Sequence, residues 1–217
     1  MSDGSIRKDE DMQNDDAQVG AGTPDGGRPD LGTVVREGDQ LTITYVRELP
    51  ADTARTWRAL TESEDLRHWF PADIIGDREP GSRLTFRFWP EHLKAGEDQL
   101  EEAGMDGESD MPGDLLAWEP EQNFEFTWDT ERLVFDLESL GSDSTRLTFS
   151  TWLAAEGPWP PEGTMAGWYA CLHGLVTMLR TGTAETLSED ETTALAAEYG
   201  RIVAALGVPE TPPEPPA

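Results

Sequence analysis

Cysteine is nearly missing from this chain. Its 217 residues hold one, Cys171, which excludes an intrachain disulfide and a multi-cysteine metal site. Cys171 has apolar neighbours and reads as a small buried hydrophobe. Lysine is almost as scarce, with only Lys8 and Lys94. Lysine and arginine total 16 against 44 aspartates and glutamates, a formal net charge of -28. Without a basic patch, nucleic acid is not an expected partner, nor is an anionic membrane surface. The acidity suits a GC-rich genome or a saline cytoplasm, and composition does not separate the two. No apolar run approaches the roughly 20 residues that span a bilayer, and the acidic, polar N-terminus is not a signal peptide. A cytoplasmic location is the expectation.

Chemical motifs are also lacking. No GxSxG, GxGxxG or phosphate-binding loop occurs, which leaves hydrolase and nucleotide-binding readings without support. The three histidines, His68, His92 and His173, have no ligand spacing, so neither a metal nor a cofactor is expected. The strand faces that read as inward carry no charged residue, and no acid–base pair presents itself. The weak catalytic candidates are His173 and Tyr169.

What is present falls into blocks. Residues 1–32 are rich in Asp, Gly, Gln and Asn and read as a disordered acidic tail. Residues 33–182 read as one domain, interrupted at 90–112 by a polar, Glu- and Gly-rich insertion. Within it, Gln40–Glu48 alternates as a strand. Asp52–Thr61 reads as a short helix and Glu64–Trp69 as another, capped by Ser63. Ala72–Gly76, Ser82–Trp89, Gly113–Glu119, Phe124–Trp128, Arg132–Leu140 and Thr145–Leu153 follow as strands separated by turn signals. Hairpin-connected strands in series predict an antiparallel sheet. Residues 183–208 supply a further helix, opened by the capping-box pattern Ser188–Glu191, which is expected to pack on the domain. Residues 209–217 form a Pro-rich tail.

The longest apolar segment is Gly163–Arg180. Met165, Trp168, Tyr169, Leu172, Leu175, Val176 and Leu179 recur at helical spacing, while Gly167, Ala170 and Gly174 lie roughly opposite. The bulky stripe is expected to close over the sheet. The small face is expected to take the Tyr199–Ile202–Leu206 stripe of the final helix, or else a second subunit.

A strand, two short helices, an antiparallel series and a long C-terminal helix make an α+β helix-grip layout. The runs RTWRALTESEDLRHWF (55–70), GDLLAWEPEQNFEFTW (113–128), TRLTFS (145–150) and GWYACLHGL (167–175) resemble the SRPBCC (START-like) superfamily. Within it they resemble the bacterial homologues of the heat-shock-protein-90 ATPase activator. The resemblance implies an apolar cavity between sheet and long helix that holds a small hydrophobic molecule. Eight tryptophans are a high count for this length, and rigid aromatic walls suit such a site. The lining residues it implies are Trp57, Trp69, Phe86, Phe88, Trp118, Phe126, Trp128, Phe135, Phe149, Trp168, Tyr169, Leu172, His173 and Val176. Two alternatives stand beside it: an enzyme of the polyketide cyclase or dehydratase type, or a chaperone-associated interaction protein. A homodimer is compatible with the apolar helix.

Overall fold

The computed structural model describes residues 29–90, 110–155 and 159–208. The expectations for most of the N-terminal tail, for 91–109 of the insertion and for 209–217 lie outside the described residues. The chain folds as an α+β helix grip. Eight antiparallel strands form one curved, open sheet, against which the long helix lies. The strands are β1 (Thr33–Glu37), β2 (Gln40–Leu49), β3 (Ala72–Ile75), β4 (Arg83–Phe88), β5 (Met111–Glu119), β6 (Asn123–Trp128), β7 (Glu131–Ser139) and β8 (Thr145–Ala154). The helices are α1 (Thr53–Thr61), α2 (Ser63–Leu66), α3 (Pro161–Thr181) and α4 (Glu189–Ala205). The sheet runs β1-β2-β8-β7-β6-β5-β4-β3. Every strand after β3 therefore returns by a local hairpin-type step, and α1 and α2 carry the chain from β2 to the opposite edge.

The alternation read from sequence explains the sheet's two faces. Leu41, Ile43, Tyr45 and Leu49 of β2 are buried while Val46 is exposed, and Leu147, Phe149, Thr151 and Leu153 of β8 are buried together. Register then aligns aromatic side chains across five strands. Trp118 pairs with Phe124, Phe124 with Phe135, Phe135 with Phe149, and Phe149 with Tyr45. Cross-strand aromatic pairs of this kind are the unit of sheet stabilisation. Helix α3 lies on this row, tied to it by the Tyr45 hydroxyl, which donates to the Met165 carbonyl at 2.7 Å.

The structure moves several boundaries. The ordered chain reaches back before Thr33: a 3-10 turn at Pro29–Leu31 places Leu31 in the core, and β1 forms a hairpin with β2. The Tyr199 hydroxyl holds that turn by donating to the Leu31 carbonyl at 2.9 Å. Strand β5 starts at Met111, inside the segment read as insertion, because Met111 and Pro112 pair with Phe86 and Thr85. Asp52 caps α1 by accepting from the Arg55 amide at 2.7 Å. Ser63 does not cap α2; its hydroxyl donates to Asp73 at 2.6 Å, and α2 ends at Leu66 rather than Trp69. Beyond it Trp69 turns inward, and its indole N–H donates to the Ala59 carbonyl at 2.8 Å.

The small face of α3 also differs from expectation. Gly174 is buried, but against Trp69 and Ala184, and Gly167 is exposed with open space beside it. Helix α4 packs along α3 through Leu195, Tyr199 and Val203. These bulky side chains need a broad contact, which the 3-10 turn and β1 share: the Arg36 guanidinium donates to the Leu206 carbonyl at 3.0 Å. The close approach at Gly174 is thus made by Trp69, three residues beyond the end of α2, not by α4. The Ser188–Glu191 capping box opens α4.

Candidate functional site

Where the sheet meets α3, the aromatic side chains touch one another. Phe126 lies 4.7 Å from Phe124, 5.3 Å from Phe86 and 6.0 Å from Phe135, centroid to centroid. Phe149 lies 4.7 Å from Phe135 and 5.4 Å from Trp168. Trp128 contacts Phe86, Phe88 and Trp168, and Trp69 contacts Phe135. Edge-to-face and tilted pairs at these separations are favourable beyond their area burial. Trp57 and Trp118 pair at 4.8 Å at the end of the row, where the Arg78 guanidinium stacks on Trp118. Leu172 is buried within the same core, and Val176 packs on it half-exposed.

Two of the expected lining residues point elsewhere. The Tyr169 hydroxyl donates to the Asp30 carboxylate, and the Arg47 guanidinium lies 5.5 Å from its ring centroid. The phenol therefore clasps the N-terminal turn. The His173 imidazole Nε2 lies 3.8 Å from the Glu185 carboxylate, in the connection to α4. Neither offers a free acid or base beside the aromatic cluster. Cys171 is half-buried against the core, and desolvation pushes its thiol up to about 12, which leaves it protonated and unreactive near neutral pH.

Three features of the site were absent from the sequence reading. Phe70 bridges the end of α2 to both layers, with Trp128 at 5.2 Å and Trp168 at 5.9 Å. Thr151 is a fully buried hydroxyl on the inner face of β8. Glu131 is the charged inward residue that the strand pattern had excluded. Strand β7 begins at Glu131, one residue earlier than read, so Glu131, Leu133 and Phe135 share the inward face. A tight turn at Asp129–Thr130 sets that start, with Asp129 at φ 50°, a left-handed conformation that Asp tolerates.

The Glu131 carboxylate accepts from the Trp168 indole N–H at 2.9 Å and from the Thr151 hydroxyl at 3.0 Å. Both bonds fall on Oε2. Oε1 receives none among the described residues. Glu131 also lines a solvent-open cleft between the end of β8 and the first turns of α3, together with Thr130, Leu153, Ala154, Trp159, Pro161 and Thr164. The cleft's volume is about 20 Å³, enough for one water-sized group. Trp159 forms its outer wall and is 43% exposed. Among the described residues no group of three or more His, Cys, Asp or Glu is arranged to hold a metal ion.

Desolvation raises the Glu131 carboxyl above its ordinary range, against the two hydrogen bonds that lower it; the nearby Asp129 charge adds to the rise. A carboxyl raised in the folded state binds its proton more tightly folded than unfolded. Its contribution to stability is therefore present below the unfolded value and lost as pH climbs through the folded one. Glu131→Gln keeps an acceptor for Trp168 and Thr151 but removes the charge. Thermal melts should show the variant gaining on the wild type as pH rises from about 4 to 7. A constant difference across that range would contradict a raised Glu131.

Comparison with known proteins agrees with this architecture. The conserved protein of unknown function EF2215 from Enterococcus faecalis superposes with a TM-score of 0.66 at 23% identity, covering 80% of this chain and 91% of that one. The BPP1335 protein from Bordetella parapertussis gives 0.59 at 21%, covering 84% and 93%. CalU16 from Micromonospora echinospora gives 0.53 at 20%, covering 77% and 88%. At these identities the likeness is one of fold. No curated protein matches the chain in sequence. Residues 50–180, from the end of β2 through α3, match the family model described as Activator of Hsp90 ATPase homolog 1-like protein. They carry the aromatic row apart from Tyr45, together with Glu131 and all the cleft residues, and the chain belongs to that family.

Proposed function

We propose that this protein binds a small, largely apolar molecule between the sheet and the long helix, through the cleft that Glu131 and Trp159 border. The observation that carries this reading is the cleft itself. It is lined mainly by apolar side chains and opens to solvent, and its Glu131 accepts a hydrogen bond from Trp168, which in turn contacts Phe149 of the aromatic cluster. Ligand sites are commonly concave and apolar with a few placed polar groups. The interior rings pack against one another, so the cleft is the point of first contact. Deeper insertion requires Trp159 or Trp168 to rotate. Tyr169 and His173 are engaged with Asp30 and Glu185, so binding without chemistry is favoured over a cyclase-type reaction.

Titration of intrinsic tryptophan fluorescence with apolar amines, alcohols, fatty acids and flat polycyclic aromatics tests the reading. A saturable change is expected for at least one class and should be reduced by Trp159→Ala. A flat response across the whole panel would overturn it.

A further inference from the structure

The cleft carries one polar feature that the binding reading leaves unused, and the following rests on that reading. We infer that the cleft selects apolar molecules that present a hydrogen-bond donor, a protonated amine above all, and discriminates against carboxylates.

The argument starts from lone pairs. The indole N–H of Trp168 and the hydroxyl of Thr151 both bond to Glu131 Oε2. They lock the carboxylate's orientation and leave Oε1 as an acceptor without a partner among the described residues. Glu131 borders a hole of about 20 Å³, which suits an ammonium-sized head group. Among the described residues no basic side chain lines that hole, and its hydrocarbon walls, Leu153, Ala154, Pro161 and Trp159, provide a track for the attached tail. A half-buried carboxylate with one oxygen committed and one open is an acceptor-only group. A cation placed there gains a charge-assisted bond and relieves the desolvation that burdens Glu131.

The start of α3 is the one element that would favour an anion instead, through its unpaired amides. Its local sequence weakens that. Pro161 has no N–H, and the amides of Gly163 and Thr164 bond to the Pro160 carbonyl at 3.1 and 3.2 Å. Glu162 adds negative charge in the first turn. Asp129 adds more beside Glu131. A carboxylate entering the cleft therefore meets Glu131 and these charges, with the neutral hydroxyls of Thr130 and Thr164 as the side-chain donors that line it.

Three probes of one skeleton separate the outcomes: decylamine, decanol and decanoate, each titrated below its aggregation threshold against the full chain and against Glu131→Gln, at pH 7 and about 0.15 M salt to screen the overall acidity. Decylamine should bind the wild type about tenfold or more tightly than decanoate, with decanol between them, in line with a charge-assisted hydrogen bond. In Glu131→Gln the spread should shrink to about threefold or less. Equal affinities for all three probes in the wild type would refute the selectivity while leaving apolar binding intact. An amine preference that survives in Glu131→Gln would refute it too, because the protein's net charge would then be its source. Binding by none of the three would remove the binding reading itself.

Discussion

Phe126→Ala is expected to lower the stability of the protein by about 3–5 kcal/mol, the range for emptying a buried aromatic site. The ring is fully buried, and Phe70, Phe86, Phe124 and Phe135 all lie within 6.4 Å of it, centroid to centroid. Those neighbours come from the segment after α2 and from β4, β6 and β7, so no single element can move in to fill the void. For a domain of this size the melting temperature should fall by roughly 6–20 °C. Phe88→Ala, at a half-exposed ring with Trp128 as its ring contact, should cost clearly less. Chemical denaturation of the two variants checks the contrast. Similar losses would mean that the cluster does not act as one packed unit.

Gly113→Ala is expected to be the most damaging one-carbon change in the sheet, at about 1–3 kcal/mol. A Cβ there would stand 2.4 Å from the Thr127 carbonyl oxygen and 2.5 Å from Cε2 of Phe86. The first obstacle is backbone and cannot swing aside. The adjacent Asp114 amide is bonded to the Thr127 hydroxyl at 2.8 Å, which fixes β5 against β6 at this point. Gly167→Ala adds the same methyl group to α3, where nothing lies within 4 Å. Alanine is the better helix former by about 1 kcal/mol, so this second variant should melt slightly higher than the wild type. The opposite signs are the prediction. A Gly113→Ala protein as stable as the wild type would show that β4, β5 and β6 are not held at the separation described.

Most of the sheet was legible because its inner face alternates cleanly. Leu41, Ile43 and Tyr45, or Leu147 and Phe149, need no tertiary information to be assigned to a core. The helices were legible from periodicity and from local caps: the Ser188–Glu191 box works within one turn, and so does Asp52. What sequence patterning missed is tertiary in origin. Strand β1 has only Val34 fully inward, too short a pattern to stand out, and it exists because β2 pairs with it. Ser63 looked like a cap because nothing local reveals that Asp73 takes its hydroxyl. Gly167 and Gly174 look equivalent along the helix. Only the fold decides that one faces Trp69 and the other solvent.

The candidate site shows the same division. The aromatic side chains were identifiable as inward-facing from their alternation, although their mutual contacts depend on register. Tyr169 and His173 drew attention as polar groups on an apolar helix, yet their partners, Asp30 and Glu185, lie outside the sheet–helix layer. Glu131 sat one residue beyond the strand as read and looked like another acidic turn residue in a chain with 44 carboxylates. Extending the alternation Phe135, Leu133 backwards by one step was the signal that would have found it. The abundance of acid on the surface hides a carboxylate that bonds to Trp168 and Thr151 on the inner face.

Residue-resolved ¹H–¹⁵N spectra of the indole N–H groups, recorded while decylamine is added, test the central claim most directly. Trp168 Nε1–H reports on Glu131, to which it is bonded, and Trp159 reports on the outer wall. The account predicts that these two resonances shift first and saturate together, while those of Trp57 and Trp118, at the far end of the aromatic row, stay in place. Saturable shifts confined to Trp57 and Trp118, or no shift in any indole, would contradict it.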